Sequence, residues 1–204
     1  MNIAVLGSSF DPSHNGHLTI ARNVLKSHPS TSLRIDKVIL MPVNIHPFAK
    51  QLTQAKHRFT MAKLLEGKNI EVSDLELKKN SISYSIDTLK ALKKKYPNDK
   101  IYWIIGSDYL ENFTKWKKWQ KIISDFGLVI IARDTQTDIK RELKKFVNYD
   151  FKNIIILNGK DFPPIDVSSS KIKKMIKEKK SISNLVLKKS RRVYNKAQVI
   201  LVNF

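Results

Sequence analysis

Six short apolar runs, separated by stretches of helical period, constrain this chain more than any other feature. Ile3–Leu6, Val38–Met41, Ile70–Val72, Ile101–Ile105, Leu128–Ala132 and Ile154–Leu157 each read as a strand buried on both faces. Between them lie amphipathic patterns: Leu18, Ala21 and Leu25; Phe59, Ala62 and Leu65; Ile86, Leu89 and Leu92. Strands alternating with helices predict an α/β fold, a parallel sheet with helices on both faces. Right-handed crossovers then bring the carboxyl ends of the strands, and the loops that leave them, to one edge, where ligands of such folds bind. The residues that follow each strand therefore matter most.

Composition narrows the setting. With 42% hydrophobic and 27% charged residues over 204 positions, the chain reads as soluble and globular. No apolar run approaches the ~20 residues needed to span a bilayer. Met1–Gly7 lacks a basic leader and cysteine is absent, which together predict a cytoplasmic protein without disulfides or thiolate metal sites. The composition shifts at Pro163-Pro164. We expect one domain, with residues 1–165 as the α/β core and 166–204 as a short, basic, helical C-terminal segment. Lys171–Lys196 carries eleven Lys and Arg against one acid, Glu178, half of the net charge of +20. Such runs usually mark solvated surface. A nucleic-acid-binding module is the alternative from another class, but only Tyr194 and Phe204 supply aromatic faces there, too few for base stacking. Neither a specific nucleic acid nor a membrane is expected as partner, and no oligomeric state follows from the sequence.

The first strand runs into Gly7-Ser8-Ser9-Phe10-Asp11-Pro12-Ser13-His14-Asn15-Gly16-His17 and then a helix. Gly7 allows a tight turn, and Gly16 leaves the backbone open to close approach. His14 and His17, three apart at a helix start, can share one face. Exposed amides and the positive helix end favour an anion at the same place. Two imidazoles there can donate hydrogen bonds to phosphate oxygens that gain charge during displacement. The plainer alternative is a helix start with two surface histidines.

Phe10, Asp11, Pro12, His14, Gly16 and His17 resemble the G-x-F-D-P-x-H-x-G-H signature of the H-x-G-H nucleotidyltransferase superfamily, with Ser8 where many members have a second glycine. Ser83-Tyr84-Ser85-Ile86-Asp87-Thr88-Leu89 and Gly106–Trp116 resemble S-Y-T-x-D-T-L and G-x-D-x-x-x-x-F-x-x-W of bacterial nicotinate-mononucleotide adenylyltransferases. Arg58 with Met61, Arg133, and Ser168-Ser169-Ser170-Lys171-Ile172-Lys173, similar to I-S-S-T-x-I-R, extend the likeness along nearly the whole chain. The resemblance implies a Rossmann-like fold and an enzyme that joins AMP from ATP to nicotinate mononucleotide. Mg²⁺ would be bound through the ATP phosphates, with no dedicated metal site in the protein.

The resemblance also assigns roles. His14, His17 and Lys173 would be catalytic. Gly7, Ser8, Ser9, Phe10, Gly16, Gly106, Asp108, Ser168, Ser169 and Ser170 would join them in binding ATP. Asn44, His46, Lys50, Tyr84, Ser85, Asp108, Trp116 and Arg133 would bind the mononucleotide. Physical readings run alongside. Trp116 offers a face for a cationic pyridinium ring, or is a packing tryptophan. Ser83 or Ser85 caps the following helix, and Asp108 caps another or meets ribose hydroxyls. Ser168 is an expected N-cap, and Lys171, Lys173 and Lys174 then crowd the wrong helix end unless a phosphate binds there. Sister activities toward nicotinamide mononucleotide or phosphopantetheine are the nearest alternatives.

Overall fold

A computed structural model describes residues 1–26, 34–45, 52–79, 81–132, 139–146, 151–157, 165 and 167–202. All six predicted strands form: β1 (Asn2–Ser8), β2 (Lys37–Pro42), β3 (Ile70–Val72), β4 (Lys100–Gly106), β5 (Gly127–Ile131) and β6 (Ile154–Leu157). They make one parallel sheet in the order β3-β2-β1-β4-β5-β6. Ile3, Ala4, Val5, Val38, Leu40, Leu128, Val129 and Ile130 are fully buried, as strands covered on both faces require. The order reverses at β1 and β4, the topological switch point of a doubly wound sheet.

The helices are α1 (Asn15–Lys26), α2 (Ala55–Lys63), α3 (Ser85–Lys95), α4 (Trp119–Asp125), α5 (Ile139–Lys144), α6 (Ser169–Lys177) and α7 (Lys188–Val202). The predicted stripes are buried at Ala21, Ala62, Leu65, Ile86, Leu89 and Leu92. Apolar periodicity leaves α4, α5 and a 3₁₀ helix over Ser107–Lys115 unmarked. In that 3₁₀ helix Ser107, Leu110 and Phe113 are buried at a strict spacing of three, the repeat of a helix with three residues per turn. A search for a 3.6-residue period passes over it.

The chain divides into two compact units. The first comprises Met1–Gly7, Asn23–Ile39 and Tyr84–Pro164; the second comprises Ser8–Arg22, Leu40–Ser83 and Ile165–Phe204. In the second, α7 packs on α2. There too Ile172, Ile182 and Val186 form a small core with Val167, Met175, Ile176 and Leu185. The basic C-terminal segment thus has an apolar inner side, and its lysines point outward: Lys171, Lys174, Lys177, Lys188 and Lys189 are exposed. Among the described residues no helix is long and apolar enough to cross a membrane.

Candidate active site

Gly7 lies inside β1, not in a turn. A Cβ there would fall 2.4 Å from the indole of Trp103 on β4, so the position is kept bare by ring packing. The chain then turns through Phe10, whose φ of 49° is unusual for a residue with a side chain. Phe10 is fully buried and stacks on His17 with ring centroids 4.5 Å apart, which holds the turn. The Asp11-Pro12 peptide is cis.

His14 and His17 do share one face. Their ring centroids lie 3.8 Å apart, and each residue is only 5% exposed, which removes the surface-histidine alternative. The His14 amide donates to His17 Nδ1 at 3.2 Å. A backbone N–H can only donate, so Nδ1 is the accepting nitrogen and the neutral ring carries its proton on Nε2. That nitrogen lies 3.0 Å from Ser8 Oγ, so the serine in the place of the second glycine helps to orient the ring.

Gly16 serves differently from the expectation. A Cβ would meet Val167 Cγ1 at 2.6 Å, and His14 Nδ1 and Ile165 Cγ2 at 2.9 Å. The bare position is filled by the chain entering the C-terminal segment, not kept for a ligand. The start of α1 is also less open than predicted. The Asn15 amide donates to Leu185 O at 2.8 Å, and the His17 amide to His14 O at 3.0 Å.

The serine-rich turn reaches the same loop, although about 150 residues separate them. Ser169 Oγ donates to Pro12 O at 3.0 Å, and Lys173 Nζ pairs with Asp11 Oδ2 at 2.6 Å. Ser168 caps α6 as expected, its Oγ accepting from the Lys171 amide at 3.1 Å. Asp11 is wholly buried. Its Oδ2 also accepts from the Thr53 amide at 3.1 Å. Its charge, after burial, helps to push the Tyr194 hydroxyl on α7 up to about 12. Asp11 matched the motif but had no assigned role; its place as the node of the loop is new from the structure. The Lys173 side chain remains one-third exposed, and its ammonium is oriented by Asp11.

Of the mononucleotide residues, Asn44 donates from its side-chain amide to Lys79 O, and its backbone amide donates to Ser83 Oγ at 3.2 Å. His46, Lys50 and Arg133 lie outside the described residues. In the first unit Tyr84, not a serine, is the N-cap of α3, and no side chain caps it, which corrects the expectation for Ser83 and Ser85. Ser85 is the first residue of α3 and is half-buried. Gly106 caps the 3₁₀ helix, so Asp108 is an exposed first-turn residue and not its cap. Trp116 is half-buried, 5.3 Å from the Phe113 ring and 6.2 Å from that of Tyr109, itself 48% exposed. Trp119, also half-buried, packs against Phe113 and Phe146. Lys117, absent from the sequence reading, links these pieces: its ammonium lies 4.4 Å from the Tyr84 ring centroid and 2.9 Å from Asp87 Oδ2.

A doubly wound sheet whose first loop carries two paired histidines, with a distant lysine and serine fixed to that loop, defines a nucleotidyltransferase. The cytidylyltransferase-like family model matches residues 5–175. Within that class the chain belongs to the nicotinate-nucleotide adenylyltransferase family. It is 36% identical over 191 residues to a Caldicellulosiruptor bescii protein named "Probable nicotinate-nucleotide adenylyltransferase", covering 91% of this chain and 92% of that one. A Fusobacterium nucleatum protein of the same name is 34% identical over 203 residues, covering 98% and 100%. The fold is shared with the Plasmodium falciparum nicotinic acid mononucleotide adenylyltransferase solved with NaAD. There the TM-score is 0.77 at 22% identity, over 96% of this chain and 95% of that one.

Proposed function

We propose that this chain transfers the adenylyl group of ATP to nicotinate mononucleotide, giving nicotinate adenine dinucleotide and pyrophosphate in NAD biosynthesis. The observation that carries the reading is the meeting of the His14/His17 loop with Ser169 and Lys173 in one compact unit. The names of the relatives choose the substrate.

A phosphate oxygen of the mononucleotide attacks the α-phosphorus of ATP. The new P–O bond forms as the bond to the bridging oxygen breaks, and its electron pair leaves with pyrophosphate. The attacking oxygen is already ionised near neutral pH, so the reaction asks for alignment and charge stabilisation, not a general base. His17 suits that task, because its accepting nitrogen is occupied by the His14 amide, which leaves Nε2, beside Ser8 Oγ, as its donating nitrogen. We assign His14 and His17 to the transferring phosphate. Lys173 and the Ser168–Ser170 turn take the β and γ phosphates, with Ser8 and Ser9 as the adjoining wall. Phe10 supports the His17 ring from behind. Gly106 and Asp108 serve the ribose. Trp116, Tyr84 and Ser85 receive the nicotinate ring and its carboxylate, with Asn44, His46, Lys50 and Arg133 toward the mononucleotide phosphate. Mg²⁺ would be held by the phosphate oxygens of ATP rather than by a protein cage, and would there supply charge stabilisation for the departing pyrophosphate. Among the described residues no group of three or more His, Asp or Glu is arranged to hold a metal. We place the enzyme in the cytoplasm, in keeping with its cysteine-free sequence.

The test is pyrophosphate release from ATP and Mg²⁺ with nicotinate mononucleotide, nicotinamide mononucleotide or phosphopantetheine in parallel. The nicotinate compound is expected to give the highest kcat/KM. Preference for either other acceptor would overturn the substrate assignment.

A further inference from the structure

We infer that Arg58 is a positioning residue, whose buried guanidinium locks the loop that handles ATP phosphates to the segment that handles the mononucleotide. The inference rests on the adenylyl transfer proposed above. Arg58 stands on α2 and is 2% exposed. Its Nε donates to Thr53 O at 2.7 Å, and its Nη1 to Ser9 O at 3.0 Å and Val43 O at 2.6 Å. Its Nη2 donates to Asn44 O at 3.3 Å.

All four acceptors are main-chain carbonyls. Ser9 follows β1, and Val43 and Asn44 follow β2, at strand ends where carbonyls lose the ladder partners that burial demands. Only a planar fork of five N–H groups spans acceptors in three segments at once; a lysine has three donors on one atom. Asp11 supplies the opposing charge. Burial lowers the Arg58 pKa and the Asp11 carboxylate works against that shift, which keeps the guanidinium charged. Thr53 is gripped on both sides, its N–H by Asp11 and its C=O by Arg58.

The same pair therefore holds two sets of residues. Asp11 orients Lys173 and lies in the loop of Ser8, His14 and His17. Arg58 fixes Asn44 on one side of the segment after β2 and Thr53 on the other. In-line transfer needs reacting atoms within roughly 3–3.5 Å, and a misplacement of about 1 Å can cost ~10² in rate. A clamp far from the reacting atoms can thus act on turnover without touching either substrate.

The test is Arg58→Lys beside the wild type, with folded fraction taken from circular dichroism and both substrates varied well below the melting temperature. The expected result is kcat per folded molecule lowered roughly 10²-fold, with either KM changed less than kcat. If Arg58→Lys does not fold, Arg58→Gln, which leaves no cation to desolvate, carries the same expectation. Wild-type kcat and KM in a folded variant, or a loss of activity that only follows the unfolded fraction, would overturn the role of Arg58. A wild type that releases no pyrophosphate would instead sink the adenylyl-transfer reading itself.

Discussion

The loop after β1 and the segment from Tyr84 to Trp116 are built on opposite plans. The first is dry and held from several sides: Asp11, Ser13, His14 and His17 are all at most 5% exposed, Asp11 Oδ2 accepts from the Thr53 amide, His17 Nδ1 accepts from the His14 amide, and the buried Arg58 of α2 donates to Ser9 O. The second is half-open. Tyr84, Ser85 and Trp116 are partly buried, Asp108 and Tyr109 are exposed, and Lys117 links Tyr84 and Asp87 at the surface. Charge that develops on phosphate oxygens is stabilised best by donors already fixed in a low-dielectric place, because nothing need reorganise as the reaction proceeds. A flat pyridinium ring asks only for a face of matching shape and charge. The difference predicts that damage to the first region shows in kcat and damage to the second in KM.

His17→Ala gives the largest expected effect and is the sharpest way to break that division. It removes the donor that the proposed function assigns to the transferring phosphate. Turnover should fall roughly 10²–10³-fold, about 2.7–4 kcal/mol, in a protein that stays folded by circular dichroism. Near-normal kcat would show that the buried histidines are packing and nothing more. Gly16→Ala comes next and probes the same region through stability. Its methyl would sit under 3.0 Å from Val167, His14 and Ile165 at once. Overpacking of this kind costs about 1–3 kcal/mol. Urea denaturation reads the loss, and a variant as stable as the wild type would mean that Ile165 and Val167 yield to the added methyl.

The two regions also differ in how far the sequence revealed them. The loop after β1 was legible because its residues are contiguous and follow a strand whose apolar run is unmistakable. Its partners were less so. Lys173 and Ser169 were found through motif likeness, whereas their bonds to Asp11 and Pro12 depend on a fold that brings distant segments together. Arg58 did leave a signal: it stands on α2 in phase with Met61, Ala62 and, just past the helix, Leu65, at i, i+3, i+4 and i+7, and a charged residue on a buried face must have partners. The 3₁₀ helix repeats every three residues, and Lys117 joins Tyr84 and Asp87 across about thirty positions, so neither is visible to a helical-period search. Trp116→Ala probes this second region. Losing a cation–π face should raise KM for nicotinate mononucleotide roughly 5–30-fold, about 1–2 kcal/mol, with kcat changed little. Progress curves at varied mononucleotide read it, and a fall confined to kcat would erase the contrast between the regions.

The smallest effect concerns a residue with two jobs. Ser168 accepts the Lys171 amide as the cap of α6, and it also stands in the turn assigned to the β and γ phosphates. The two jobs separate because a helix tolerates glycine at the N-cap almost as well as serine, but not alanine. Ser168→Ala should lose about 1 kcal/mol of stability and Ser168→Gly only a few tenths. The hydroxyl is absent from both, so a phosphate contact would raise the KM for ATP equally in the two variants. Denaturation and ATP-dependent turnover of the pair therefore report separate quantities. If the KM for ATP follows stability, high in the alanine variant and normal in the glycine one, then Ser168 acts on ATP only by holding α6, and with it Ser169 and Lys173, against the loop of Asp11 and Pro12.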